Sequence, residues 1–233
     1  ALELYGSFYP TQVWRVALYQ IDLSNKNAIV FGVANHRSIA WAIAKILHQA
    51  GARLVLTYQN ERLRENVASL AQTLEGAQIL ECDVSSDESI DRVFKELGQL
   101  FGTLDIVVHS IGFARREDLA GSFLKTDREG FRTALEISAY SLLPIVQRAV
   151  PLMKNGGSVI TMTFQASERV FPGYNIMSTA KAALENEVRL LAYELGEKNI
   201  RVNAVSPGPL ETLAARGIRG FMDMKRIHAE RAP

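Results

Sequence analysis

The chain has 233 residues, 48% hydrophobic and 22% charged, and its 26 Lys and Arg against 25 Asp and Glu leave a net charge of +1. That length suits one α/β core, and the near-neutral balance gives no reason to expect a nucleic acid or a membrane surface as partner. Cys82 is the only cysteine, which excludes an intrachain disulfide and points to a reducing, cytoplasmic setting. No apolar run approaches the ~18 residues of a membrane span, and residues 1–20 lack the basic start and apolar stretch of a secretory signal.

Strands are predicted over 27–32, 52–58, 77–84, 104–110, 157–163 and 200–206. Their near-continuous apolar, β-branched character is what a parallel sheet covered on both faces requires. Apolar residues at three- and four-residue steps predict helices near 38–50, 61–75, 86–100, 127–153 and 174–196. The alternation predicts an α/β fold, a Rossmann-like doubly wound parallel sheet with right-handed crossovers. No short repeat, low-complexity segment or second-domain linker interrupts it.

The first strand runs into Gly32-Val33-Ala34-Asn35-His36-Arg37-Ser38-Ile39-Ala40. A dinucleotide pyrophosphate needs a tight turn, close backbone approach and open N–H groups at a helix start. Gly32, Ala34 and Ser38 meet those needs, with Ser38 placed to cap the helix, although the usual GxGxxG spacing is absent. The second strand ends at Gln59, a neutral residue able to bond ribose hydroxyls, while Arg62 and Arg64 fall on the following helix. Asp83-Val84 ends the third strand, where an adenine would lie, and Ser110-Ile111-Gly112 ends the fourth, with Gly112 permitting close approach. An ordinary loop explains each stop alone; together the four strand ends suit one dinucleotide.

Tyr174 and Lys181 stand seven residues apart in FPGYNIMSTAK, with Met177 where a Tyr–Lys pair beside a nicotinamide usually has its tyrosine. On one helix both spacings share a face, but the rise grows from ~6 Å to ~10.5 Å. A carbonyl reductase protonates the oxygen on the carbon that receives hydride. In a conjugated C=C bond the charge develops on a carbonyl oxygen two carbons beyond the hydride acceptor. A donor farther from the ribose-holding Lys181 suits that second geometry.

These residues identify a resemblance. GVANHRSIAWAIA, LTYQNERLR, CDVSSDES, HSIGFA, EISAYSL, ASERVFPGYNIMSTAKAALE, IRVNAVSPGP and TLAARGI are similar to stretches of the bacterial enoyl-acyl-carrier-protein reductases, divergent short-chain dehydrogenases of fatty-acid elongation. The resemblance covers roughly residues 21–233. It implies that Tyr174 and Lys181 are the catalytic residues, Tyr174 at the thioester carbonyl or enolate and Lys181 on the ribose hydroxyls, with the lysine charge making the tyrosine more acidic. It implies NADH rather than NADPH, contacted by Gly32, Ala34, Ser38, Ile39, Gln59, Asp83, Val84, Ser110, Ile111, Gly112, Lys181, Pro209, Leu210 and Thr212. Phe113, Ala114, Phe164, Tyr174, Met177 and Phe221 would form the substrate pocket. The implied partners are an acyl-carrier protein bearing the enoyl thioester and further copies of this chain, as a dimer through the helices near 127–153 and 174–196 or a tetramer. Ala134, Ala139, Leu142, Ala183 and Leu190 are read as the surplus apolar surface of that contact.

The chain departs from the family in four ways. Phe164 stands where many relatives have a second tyrosine, Pro207 replaces an alanine, and Glu211 replaces a basic residue before Thr212. The family also continues into a further helix and a seventh strand, so the chain reads as an extension over 1–20 and a single, C-terminally short reductase domain over 21–233. Met222, Met224 and Phe221 fit either core packing or the family's mobile lid. His36, His48, His109 and His228 are scattered without metal spacing, no hydrolase triad pattern joins Ser138 or Ser206, and Glu88, Glu185 and Glu187 read as solvated. The rival readings are a carbonyl-acting short-chain dehydrogenase and a nucleotide-binding relative without turnover.

Overall fold

The computed structural model describes residues 21–212, 215 and 220–231. The expected extension over 1–20 lies outside the described residues, as does most of the 213–219 stretch. Six strands form one sheet: β1 (Asn27–Phe31), β2 (Arg53–Tyr58), β3 (Gln78–Glu81), β4 (Ile106–His109), β5 (Gly157–Met162) and β6 (Ile200–Val205). Their order is β3-β2-β1-β4-β5-β6 and every pair is parallel. The chain leaves β3 at one edge and returns beside β1 as β4. That reversal opens a crevice at the carboxyl ends of β1 and β4, where doubly wound sheets bind ligands.

Strand alternation sorts the core into two layers. Ala28 and Val30 point with Leu54 and Leu56 toward α1 (Ile39–Gln49) and α2 (Glu61–Ala71). Ile29 and Phe31 point the other way, toward α3 (Asp87–Phe101) and the later helices. Ser86 caps α3 by accepting from the Ser89 amide, and Gly102 ends it in the left-handed conformation. The cover is incomplete at the β6 edge. Ile200 and Val202 are buried, but Arg201 and Asn203, which alternate with them, are exposed, so β6 alternates as a strand with one face open to water.

Two helix expectations change. The stretch near 127–153 is not one helix: α5 (Arg128–Leu135) passes into a π turn (Glu136–Tyr140), then α6 (Leu142–Ala149) and a 3-10 turn. The π turn adds one residue to a helical turn, while the apolar spacing on either side of it remains helical. A short helix over Arg116–Leu119 precedes α5 and lacked any periodic pattern. This short segment is α4 (Arg116–Leu119). Arg115 holds it to α5, donating to buried Asp118 at 2.6 Å and to Asp127 at 2.7 Å. Asp127 in turn caps α5 through the Gly130 amide, and a Cβ at Gly130 would collide with the Asp118 carboxylate and the Arg115 guanidinium.

The second long helix, α7 (Ile176–Leu195), begins after Tyr174, which lies in the preceding turn with Asn175 at φ 36°. Tyr174 and Lys181 therefore do not ride on one continuous helix, and the rise computed from helical spacing does not apply. The last described helix, α8 (Phe221–Arg231), follows the loop after β6. No helix among the described residues is long and apolar enough to cross a membrane.

Candidate active site

A cavity of about 920 Å³ occupies the crevice. Its walls include Gly32, Ala34, Ser38 and Ile39 after β1, Gln59 after β2, Val84 after β3, and Ser110, Ile111 and Gly112 after β4. Tyr174 and Lys181 reach the same cavity from the α7 side, as do Pro209, Leu210 and Thr212 from the loop after β6. Phe113, Ala114, Phe164, Met177 and Phe221 complete its apolar walls. Asp83 is the one expected contact outside this lining. Its carboxylate accepts from the Ser85 amide and hydroxyl, while its neighbours Cys82 and Val84 face the cavity.

Gly32 decides the shape of the first turn. Its φ of +93° is costly for any L side chain, and a Cβ there would run into the Ser110 carbonyl oxygen. The ends of β1 and β4 thus meet backbone to backbone. Ser38 stands at the N-cap of α1 without capping it. Its Oγ instead accepts from the Ala34 and Asn35 amides, each at 3.1 Å, because its side chain points back into the turn it closes. The helix start keeps its open amides for an anion, and no acidic side chain occupies its first turn.

Lys181 is buried, and its ammonium donates to the Met162 carbonyl at 2.8 Å and the Ile111 carbonyl at 3.4 Å. Burial lowers its pKa to about 8, against an opposing pull from Glu185. Gly112 lies beside it, and a Cβ there would make only an ordinary contact with Nζ, at 3.6 Å. Tyr174 is 8% exposed, its ring packed at 5.0 Å from that of Phe164. Phe164 packs on Phe171 at the same separation, so the phenylalanine that replaces a tyrosine serves as the tyrosine's wall. The expected acidification of Tyr174 is not found. Burial raises its pKa to about 12, and the Lys181 charge, held by carbonyls, does not offset that.

Other expectations change for similar reasons. Glu185 is not simply solvated: its Oε1 accepts from Thr163 at 2.6 Å and Ser167 at 2.7 Å, bracing the end of β5. Glu187 has a buried, unpartnered Oε2, and burial raises its pKa to about 7. Glu211 does not line the cavity; it meets Lys225 of α8 at 3.1 Å. Arg116, Thr57 and Leu119 also line the cavity without a sequence pattern that distinguishes them from loop, strand and helix neighbours. His109, fully buried, bonds Thr161 and Ser141 at 2.8 Å each; its place in a strand-ending HSIGFA was the only available sign.

The sequence pattern of the family described as Enoyl-(Acyl carrier protein) reductase matches residues 32–233. The chain belongs to the enoyl-acyl-carrier-protein reductase family. It is 48% identical to the NADH enoyl-acyl-carrier-protein reductase FabI of Bacillus cereus over 91% of this chain and 83% of that one. The NADPH FabI of Staphylococcus aureus is 45% identical over 91% of this chain and 84% of its own. Among solved structures, the Bacillus cereus enzyme with NADP+ and indole naphthyridinone superposes with a TM-score of 0.88 at 48% identity, covering 91% of this chain and 83% of that one. The Aquifex aeolicus NADH reductase gives 0.87 at 42% identity with the same coverage. Membership agrees with the fold and with a Tyr–Lys pair in one crevice.

Proposed function

We propose that this chain reduces the C2=C3 bond of a trans-2-enoyl-acyl-carrier-protein with NADH, giving the saturated acyl thioester of fatty-acid elongation. The observation that carries the reading is the meeting of buried Tyr174 and buried Lys181 in one cavity at the switch point of a family-matched sheet. The cradle fits a dinucleotide: glycine at position 32 lets β1 and β4 close up, and the α1 start presents open amides without an acid. The Gly32–Ile39 turn would take the pyrophosphate, Gln59 the adenosine ribose, and Cys82 to Val84 the adenine wall. Asp83 would reach the adenine from beside that wall. Bound there, NADH supplies the hydride received at C3.

The rest belongs to side chains. Lys181 commits two N–H groups to Ile111 and Met162 and has a third for the nicotinamide ribose hydroxyls. Tyr174, protonated at neutral pH and held more firmly so because burial raises its pKa to about 12, donates a hydrogen bond from Oη to the thioester oxygen as negative charge develops there. Phe113, Ala114, Met177, Phe164 and Phe221 exclude water and receive the acyl chain. Ser110, Ile111, Gly112, Pro209, Leu210 and Thr212 form the nicotinamide end. Its single buried cysteine suits work in the cytoplasm.

We also read the chain as a homo-oligomer. Ala134, Ala139 and Leu142 turn out to be buried within the chain, so they are not the surplus surface. Exposed Leu190 and Tyr193 on α7, Phe131 on α5 and Tyr140 in the π turn offer that surface instead. The deciding assay follows NADH absorbance with a crotonyl thioester. Oxidation of NADH supports the reading; turnover of simple ketones alone, or NADH binding without oxidation, overturns it.

A further inference from the structure

The π turn and the buried histidine have no part in the chemistry above, yet they converge on the lysine. His109 is completely buried, with Nδ1 2.8 Å from Thr161 Oγ1 and Nε2 2.8 Å from Ser141 Oγ. Ser141 donates its only hydroxyl proton to the Ile137 carbonyl at 2.7 Å. Its oxygen must therefore accept from the ring, so Nε2 carries the proton and Nδ1 accepts from Thr161. The ring is neutral, since burial and the nearby Lys181 charge push its pKa down to about 3.

Register shows what this pair holds. His109 and Thr161 are cross-strand partners at the ends of β4 and β5. The Lys181 acceptors follow directly: Met162 is one residue beyond Thr161, and Ile111 two beyond His109. Ser138, fully buried in the same π turn, accepts from the Phe113 amide at 2.8 Å and faces the Phe113 carbonyl at 2.9 Å. One irregular turn thus grips both ends of the 109–113 segment, with the Ile111 carbonyl between. The extra residue of a π turn re-aims the side chains that follow it, and such turns gather at functional sites.

We propose that the π turn is a clamp on the cofactor side of the site, and that His109 is a positioning residue that acts through Lys181. Ser141 and Thr161 orient the ring, the ring fixes the two strand ends, and their carbonyls aim the ammonium at the nicotinamide ribose. The titratable groups around Lys181 are Glu185, one turn on along α7, His109 beneath it, and Tyr174, which lines the same cavity. This inference rests on the NADH reading of the site.

The test is direct NADH binding, followed by nicotinamide fluorescence across pH, for the wild type and for Thr161→Val, Thr161→Ser and Ser141→Ala. Thr161→Val and Ser141→Ala should weaken NADH binding by about fivefold or more and move the loss of binding at alkaline pH to lower pH. Thr161→Ser keeps the hydroxyl and should bind within about twofold of wild type. The KM for the enoyl thioester should not change in any of them. Nitrogen NMR of the wild-type imidazole should show Nε2 protonated and Nδ1 bare. Thr161→Val is nearly isosteric, and melting curves show whether each variant is folded. Folded Thr161→Val and Ser141→Ala proteins that bind NADH like wild type at every pH would overturn the clamp alone, even if they melt earlier. A wild type that binds no NADH overturns the cofactor reading and the clamp together.

Discussion

The Lys181 ammonium lies 2.8 Å from the Met162 carbonyl oxygen in a site that leaves the side chain only 5% exposed. Burial sets its pKa at about 8, below the ordinary 10.5. Only the charged form donates all three N–H groups, so NADH affinity should fall as pH rises through about 8, by up to about tenfold per unit beyond it. Stability should move the opposite way. Between about 8 and 10.5 the unfolded chain holds more protons on this residue, so its contribution to stability rises with pH across that window. NADH titrations and melting curves from pH 7 to about 10 check both signs.

Tyr174→Phe should lower turnover of a crotonyl thioester by about 10²–10⁴-fold, equivalent to ~3–5 kcal/mol of transition-state stabilisation. NADH affinity should hardly change, because the proposed ribose contact is made by Lys181 and not by Tyr174. The ring packing on Phe164 survives the change, so the variant should fold. Steady-state kinetics beside NADH binding separates the two effects, and undiminished turnover removes the role.

Gln59 lines the cavity where the adenosine is proposed to lie, and it is neutral. NADH should therefore be the better cofactor, and Gln59→Arg should shift kcat/KM toward NADPH by about tenfold or more. Arg64 is paired with Glu61 at 3.0 Å, which limits its use for a 2′-phosphate. Equal efficiency of the wild type with both cofactors would show another cation reaching that position.

Glu187 carries a buried, unpartnered oxygen and a pKa raised to about 7 by burial, from 4.5. The folded chain holds more protons on it across that window, so its contribution to stability falls as pH rises from 4.5 to about 7. Glu187→Gln should melt about 2–8 °C higher at pH 8, with the difference vanishing below pH 4.5. Melting curves at the two pH values decide it.

Leu190 is 57% exposed and Tyr193 87% exposed, one turn apart on α7. Light scattering at micromolar concentration should give a multiple of 25.8 kDa, and Leu190→Arg should reduce it toward the single-chain mass. A wild-type mass near 25.8 kDa would refute the contact.

The local pattern was enough for the strands, for most helices and for the crevice. The continuous burial of β1 and β2, and the period-three-to-four burial in α1 and α3, are written in consecutive residues. So are the glycine at position 32 and the Tyr–Lys spacing that separates this family from ordinary carbonyl reductases. What the tertiary structure decided depends on groups distant in the chain. Ser38 looks like a cap until the turn folds its hydroxyl onto Ala34 and Asn35. Glu185 looks solvated until Thr163 and Ser167 arrive beside it. Tyr174 was expected to be acidified by Lys181, but only packing shows that desolvation dominates its pKa. The π turn, and the ring of His109 set between Thr161 and Ser141, exist because the strand ends and the helix demand a common hydrogen-bond geometry. Side-chain spacing along one segment holds no record of that demand.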